Sequence, residues 1–403
     1  MTEPNDPTDP IDKAGKRPLK ILEVVVRFYP YIGGVENTVL DLNRRLMARG
    51  HQTRVVCADE PPGSPELVEG IGVVRLPYRR FKIGNTNLCP GLPAALRREK
   101  PDLIHGHMPT ALFADAAASA AEALDVPFVL TYHNDLIGDG LKGILGGVYN
   151  QLILPRLLAR ADKVITINPS YATKSPHLSA KDPKITCIPW GVDENVFHPP
   201  ADGGPPADAP ELVLGFLSLL DAHHRYKGLE VLFRAAALLR KDGIRLRLKI
   251  GGAGEKQGYY RKMAQDLGVG DQAEFLGFIP GPDLTAFYGS CHAFVLPSTD
   301  GRREGFGLVL LEAMSCARPV LSTPIVGMSG DIEKYGSGLL AAPGDPAALA
   351  AAIRRMHEDR ASLAVFGQNG RRLVEERYTW TRVTDTYESL YQAAVAEHTP
   401  RRR

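Results

Sequence analysis

Short apolar runs alternate with helix-forming segments along nearly the whole chain, and this alternation restricts the folds open to it. Leu19–Val26, His51–Cys57, Gly72–Pro77, Asp102–His107, Pro127–His133, Lys163–Ile167 and Lys184–Pro189 each read as a strand. Between them, Glu36–Arg49, Leu92–Glu99, Thr110–Leu124, Val148–Arg160 and a stretch near Tyr171 read as helices. The segment Pro199–Pro210, PPADGGPPADAP, then breaks the pattern and reads as a linker. A second series follows. Its strands are Glu211–Leu217, Leu246–Ile250, Ala273–Gly277, His292–Pro297, Pro319–Ser322 and Gly338–Ala341. Its helices are Gly228–Arg240, Tyr259–Leu267, Pro282–Tyr288, a run from Leu308, Ala347–Glu358 and a final one from Tyr378. Strands alternating with helices mean βαβ units around parallel sheets, and such sheets bind ligands at the carboxyl ends of their strands.

At 403 residues the chain can fill two or three cores. A net charge of +2 gives no electrostatic case for nucleic acid as a partner. No apolar run reaches the length of a membrane span. The first eighteen residues are polar and rich in proline, so a disordered tail without a signal core is expected over 1–18. Cys57, Cys89, Cys187, Cys291 and Cys316 are scattered, with no C-x-x-C pair and no metal spacing. A reduced, cytoplasmic setting is the expectation. Tyr78-Arg-Arg-Phe-Lys82 reads first as an exposed loop, with weak peripheral contact to acidic lipid as the alternative.

The stretch after the strand His292–Pro297 carries the most chemistry. Ser298–Arg303 is polar, and Glu304-Gly-Phe-Gly307 then opens the helix that starts at Leu308. Gly305 and Gly307 let a backbone approach a ligand closely. A glycine loop at a helix start offers amides and a positive dipole end to phosphate. Glu304 precedes the helix and Glu312 lies within it, and carboxylates grip the vicinal hydroxyls of ribose or a hexose. Singly, each Glu reads as a solvated acid; together, strand, loop and helix favour a sugar-nucleotide site. Lys227-Gly228 at another helix start suits a diphosphate, with Arg225, His223 and His224 in the same loop. Gly33 and Gly34 start the first helix and form a second candidate anion-binding turn. The loop Gly251–Glu255 lacks the third glycine of the dinucleotide fingerprint, so nicotinamide binding is disfavoured. His133 ends a strand, where position favours function over structure. His105 and His107 flank another strand end as weaker candidates that would line an acceptor cleft; no acidic partner is expected beside them, so a metal site is discounted there.

The stretch Glu304–Glu312 resembles the E-x7-E signature of retaining glycosyltransferases of family 4, in the form E-G-F-G-x-x-x-x-E. The resemblance runs from Leu19 to Tyr391. It implies two Rossmann-like domains, 19–198 and 211–377, facing a cleft in the GT-B fold, with a helix over 378–395 returning to the first domain. It implies a metal-independent hexosyltransferase using a nucleotide-diphosphate sugar, UDP- or GDP-linked, on a hydroxyl acceptor in glycan, glycolipid or small-molecule glycoside synthesis. By resemblance, Glu304 and His133 reach the donor sugar and carry the catalytic role. Glu312 holds the ribose, and Gly33, Gly34, Gly305, Phe306, Gly307 and Leu308 line the donor. Lys227 meets the diphosphate. Leu219 stands where many members have a second cation, so Arg225 or a neighbouring histidine would replace it. Trp190 replaces a common Asn in Ile188-Pro-Trp-Gly-Val-Asp193. No D-x-D motif occurs at a strand end, so no metal is expected. The alternatives are a nucleotide-sugar epimerase of related fold, or a non-catalytic nucleotide-sugar-binding protein.

Overall fold

The computed structural model describes residues 17–31, 33–83, 86–136, 140–168 and 175–400. The chain divides into two units. One runs to Pro189 and resumes at Val383; the other is Trp190–Arg382.

The first unit contains strands β1 (Lys20–Val24), β2 (Gln52–Ala58), β3 (Leu67–Val68), β4 (Ile71–Leu76), β5 (Arg79–Ile83), β6 (Thr86–Leu88), β7 (Leu103–Met108), β8 (Phe128–Tyr132), β9 (Lys163–Thr166) and β10 (Ile185–Cys187). Eight of them form one sheet in the order β10-β9-β8-β7-β1-β2-β4-β3. Its pairings are parallel except for β3 on β4. The central strands β7 and β8 are buried throughout, as strands covered on both faces must be. The segment expected as an exposed loop at Tyr78–Lys82 instead enters the hairpin β5–β6; its side chains from Arg80 onward lie outside the described residues, as does the stretch near Tyr171.

The expected helix Val148–Arg160 is two helices, Gly140–Leu152 and Leu154–Arg160. Pro155 lacks the amide that would continue the first helix, but it is tolerated in the opening turn of the second. Glycines at 140, 143, 146 and 147 hide the helical signal of the first part. Gly146 has a packing reason: a Cβ there would lie 2.9 Å from the Leu136 carbonyl oxygen.

In the second unit, β11 (Leu212–Leu217), β12 (Leu246–Gly251), β13 (Ala273–Gly277), β14 (Ala293–Val295), β15 (Val320–Ser322) and β16 (Gly338–Leu340) form a wholly parallel sheet. Its order is β13-β12-β11-β14-β15-β16. Counted within the unit, the order reverses between the first and fourth strands, which is the doubly wound Rossmann arrangement. Leu214, Phe216, Leu232, Phe233, Leu248 and Ile250 are among the core residues. Burying each such side chain is worth roughly 1.5–3 kcal/mol.

The segment 199–210 belongs to the second unit. His292 Nε2 lies 2.9 Å from the Pro206 carbonyl oxygen, and Arg318 Nη2 donates to the carbonyl of Gly203. The helix Arg360–Arg377 has no counterpart among the segments read from sequence. Gly367 interrupts its apolar pattern, and a Cβ there would meet the Ala317 carbonyl oxygen at 2.2 Å. The last helix is Trp380–Glu397. From Val383 it packs with the first unit, where Arg49 pairs with Glu388 at 2.7 Å and Lys163 with Glu397 at 2.7 Å. Among the described residues, no helix is long and apolar enough to cross a membrane.

Candidate functional site

The reversal of strand order in the second unit places the loops after β11 and β14 side by side, and the two share a backbone bond from Thr299 N to Tyr226 O of 2.8 Å. The loop after β11 is stapled to the one after β12. Leu220 N donates to Ala253 O at 2.9 Å and Lys256 N to Leu220 O at 2.8 Å. The glycines of Gly251–Gly254 serve this packing, since a Cβ at Gly252 would lie 1.7 Å from Ser218 O and one at Gly254 would lie 2.3 Å from Leu220 O. The loop ends in a single 3₁₀ turn, Arg225–Lys227, and Gly228 starts the helix Leu229–Lys241.

In the loop after β14, Glu304 N donates to Asp300 O at 3.0 Å and folds the chain back. The Glu304 side chain is only 2% exposed. Lys227 Nζ lies 2.8 Å from its Oε2 and 3.1 Å from its Oε1, and Ser298 Oγ donates to Oε2 at 2.6 Å. Burial works against the charge of Lys227, but the Glu304 carboxylate and the Tyr226 hydroxyl together hold the ammonium above its usual pKa. The structure thus brings together two side chains that sequence assigned separately, one to phosphate and one to sugar. Ser298, buried beside them, is absent from the sequence-based set.

Gly307, at φ 87°, caps the helix Leu308–Ser315, and a Cβ there would lie 2.8 Å from Val326 Cγ1. The amino end of this helix adjoins the loop at Gly305 and Leu308, and Leu310 N there donates to Gly307 O at 2.8 Å. Phe306 is buried, packed edge-on against Trp190 at 6.0 Å and Tyr378 at 5.8 Å. What it can offer a ligand is therefore its backbone. Glu312 lies within the helix and accepts a 2.5 Å hydrogen bond from the Tyr288 hydroxyl. Burial pushes the Glu312 carboxyl up to about 7, against the smaller effect of that hydroxyl. Arg225 is held elsewhere: it pairs with Glu230 at 2.7 Å, lies 5.7 Å over the Tyr259 ring and is 53% exposed. His224 pairs with Asp221 at 2.8 Å, and Leu219 is 54% exposed.

In the first unit, Gly33 is extended and Gly34 begins the helix Gly34–Ala48. A Cβ at Gly33 would lie 2.3 Å from Glu36 Oε2, so the Glu36 carboxylate lies over this turn. His133 follows β8 and is buried. His107 Nδ1 lies 3.3 Å from His133 Nε2, and the two rings stack at 11°. Contrary to the sequence reading, His105 and His107 do have an acidic partner. Glu23, on the adjacent β1, lies 3.0 Å from His105 Nδ1 and 2.9 Å from His107 Nε2. The three donor sets fall within 4.8 Å of one another, close enough to hold a cation. Parallel pairing of β1 with β7 sets Glu23 opposite His105, a proximity that sequence distance conceals. Tyr391 of the last helix closes the cluster, its hydroxyl 2.8 Å from His105 Nδ1.

A family model described as "Glycosyltransferase Family 4" matches residues 32–196, and one described as "Glycosyl transferases group 1" matches residues 216–373. O-antigen chain mannosyltransferase C of Escherichia coli is 30% identical over 387 residues, covering 93% of this chain and 98% of that one. A D-inositol 3-phosphate glycosyltransferase of Stackebrandtia nassauensis is 31% identical over 415 residues, covering 92% of this chain and 89% of that one. Among solved structures, sucrose-phosphate synthase of Thermosynechococcus elongatus superposes with a TM-score of 0.74 at 24% identity, over 94% of this chain and 99% of that one. HepE of Anabaena, in complex with UDP and glucose, gives a TM-score of 0.70 at 21% identity, over 92% and 98% of the two chains. The fold is that of the GT-B glycosyltransferases. The chain belongs to glycosyltransferase family 4 and is a glycosyltransferase.

Proposed function

We propose that this glycosyltransferase moves a hexosyl unit from a UDP- or GDP-sugar to a hydroxyl acceptor, with retention at the anomeric carbon and without a divalent metal. The observation that carries the reading is the Lys227–Glu304 pair beside a helix amino end, at the strand-order reversal of a Rossmann sheet. In this reading the donor diphosphate draws Lys227 from Glu304 and settles near the amides of Gly307 and Leu308. The released carboxylate then accepts hydrogen bonds from sugar hydroxyls. Glu312 holds the ribose, and His133 of the first unit acts on the sugar. Lysine and helix amides stabilise the leaving phosphate, which is the task a metal performs in other architectures. The named relatives transfer mannosyl units or glycosylate an inositol phosphate, which supports a hexosyl donor and a hydroxyl acceptor here.

The test is a panel of nucleotide sugars screened for thermal stabilisation, followed by turnover with the stabilising donor in the presence of chelator. Transfer to an acceptor, with the anomeric configuration kept and activity undiminished by chelator, is expected. Release of an altered nucleotide sugar without any acceptor would establish an epimerase instead. Activity lost in chelator and restored by magnesium or manganese would overturn the metal-free mechanism.

Glu312 gives the binding step a pH dependence of definite sign. Its carboxyl is raised to about 7, so a large share is protonated at neutral pH. Ribose hydroxyls donate best to the ionised, acceptor-only form. Donor binding should therefore release a proton and tighten as pH rises through about 7, then weaken as pH falls. Glu312→Gln should flatten this dependence, and the difference between the two proteins cancels the nucleotide's own titration. Glu312→Ala should weaken donor and free nucleotide alike by about 1–3 kcal/mol. Parallel pH curves for the parent and the Gln protein, by calorimetry, would remove Glu312 from the ribose.

A further inference from the structure

The polar stripe across the first unit's sheet contains buried titratable groups, Glu23, His105 and His107, that the proposed reaction does not use. Glu23 on β1, His105 and His107 on β7 and Thr131 on β8 are all buried. The strand registers place Glu23 opposite His105 and His107 opposite Thr131, with His133 two residues beyond Thr131. Side chains two apart on a strand share a face, so the register lines these groups into one row.

We infer that Glu23, acting through His107, fixes His133 in a single tautomer, with the proton on Nε2 and the lone pair on Nδ1. Glu23 is buried, which disfavours its charge, yet His105 and His107 around it hold its carboxyl at about 2. It is therefore ionised and can only accept. His107 Nε2, 2.9 Å from Glu23 Oε2, must carry a proton. Burial and the neighbouring His105 hold His107 below the usual histidine pKa, so the ring is neutral and its Nδ1 is bare. That bare nitrogen faces His133 Nε2 at 3.3 Å, so His133 must donate there. Burial, with His107 and His105 nearby, holds His133 well below its ordinary value, so its Nδ1 carries no proton. The opposite orientation would aim a bare His107 nitrogen at a carboxylate, lone pair against lone pair.

Both nitrogens of His105 are also engaged by hydrogen bonds. His105 Nδ1 meets Glu23 Oε1 at 3.0 Å, and its Nε2 meets Thr131 Oγ1 at 2.7 Å. A hydrogen-bonded row accounts for the spacing without a cation. Glu23 and His107 are thus positioning residues. Any group that meets His133 at Nδ1 must donate to it, and His133 cannot act as a proton donor from that atom.

This inference rests on the proposed role of His133, and the experiment separates the two. Imidazole-nitrogen NMR of the whole protein, with His133 assigned by its loss in His133→Gln, reads the tautomer directly. The expected signal is a neutral ring protonated at Nε2. A ring protonated at Nδ1, or an imidazolium at neutral pH, would overturn the inference, as would a stoichiometric metal ion bound at Glu23 in the purified protein. Glu23→Gln keeps the shape but can present an amide N–H to His107 Nε2, which reverses the row. It should move the His133 proton to Nδ1 and lower kcat by at least about tenfold, with nucleoside diphosphate affinity unchanged. An unchanged tautomer and turnover in Glu23→Gln would count against the row. Should that variant fail to fold, the spectrum of the unsubstituted protein still decides. If the tautomer is as expected but His133→Ala keeps its kcat, the row stands and the role of His133 fails.

Discussion

Glu304→Ala is expected to lower kcat by about 100-fold or more, on the scale of losing a group that stabilises developing charge, while nucleoside diphosphate affinity holds or tightens. The direction of the second effect follows from the pair. Lys227 is largely buried and its charge is held by Glu304. Removing the carboxylate leaves an ammonium that water reaches poorly, and a diphosphate then becomes its best partner. The first effect follows from the proposed role, since a contact made to the sugar in the transition state lowers kcat when lost, not nucleotide binding. Lys227→Ala should show the reverse order, with nucleotide affinity falling first. Titration with the nucleoside diphosphate and steady-state kinetics on both variants provide the check. Equal losses of affinity and kcat in Glu304→Ala would show that the carboxylate merely holds the loop in place.

The alternation of strands and helices is legible in the sequence because parallel strands buried on both faces must be short and apolar, as β7 and β8 are. In the second unit the same reason holds for β14 and β15, which are buried throughout, whereas β13 and β16 are only partly buried and read as strands from their short apolar runs. Partnerships were not legible, because parallel sheets pair residues far apart in the chain. Lys227 and Glu304 are 77 residues apart, and Glu23 and His105 are 82 apart. Glu23 sits in an apolar run and reads as an ordinary strand residue; only the register of β1 on β7 gives it a role. Tyr288, on Glu312, and Ser298, on Glu304, carry no signal of their own at the level of spacing. The glycines of Gly140–Leu152 mask a helix, while those of Gly251–Gly254, already a poor match to a dinucleotide loop, permit one loop to lie on another.

Gly228→Ala is expected to damage stability and donor binding together, more than any other single methyl added to the phosphate-side loop. Gly228 has φ 84°, a conformation that costs an L residue roughly 1–2 kcal/mol. In addition, a Cβ there would lie 2.0 Å from the Pro297 carbonyl oxygen, a backbone atom that side-chain rotation cannot move away. The loops after β11 and β14 would have to separate, and Lys227, the preceding residue, would move off Glu304. A control isolates the two costs. Gly243 has a similar φ of 77°, with nothing within 4 Å of its Cβ position, so Gly243→Ala should carry only the conformational penalty. For a unit of this size, about 1 kcal/mol lowers Tm by roughly 2–4 °C. Gly243→Ala should therefore lose only a few degrees and keep its kcat/KM. Gly228→Ala should lose more than twice that and drop kcat/KM steeply, because the cation and the sugar-side carboxylate no longer share one site. Calorimetry and kinetics on the two proteins decide the matter: equal shifts in Tm with kcat/KM preserved in both would mean that the loop pair yields easily and that its close approach is not what positions Lys227.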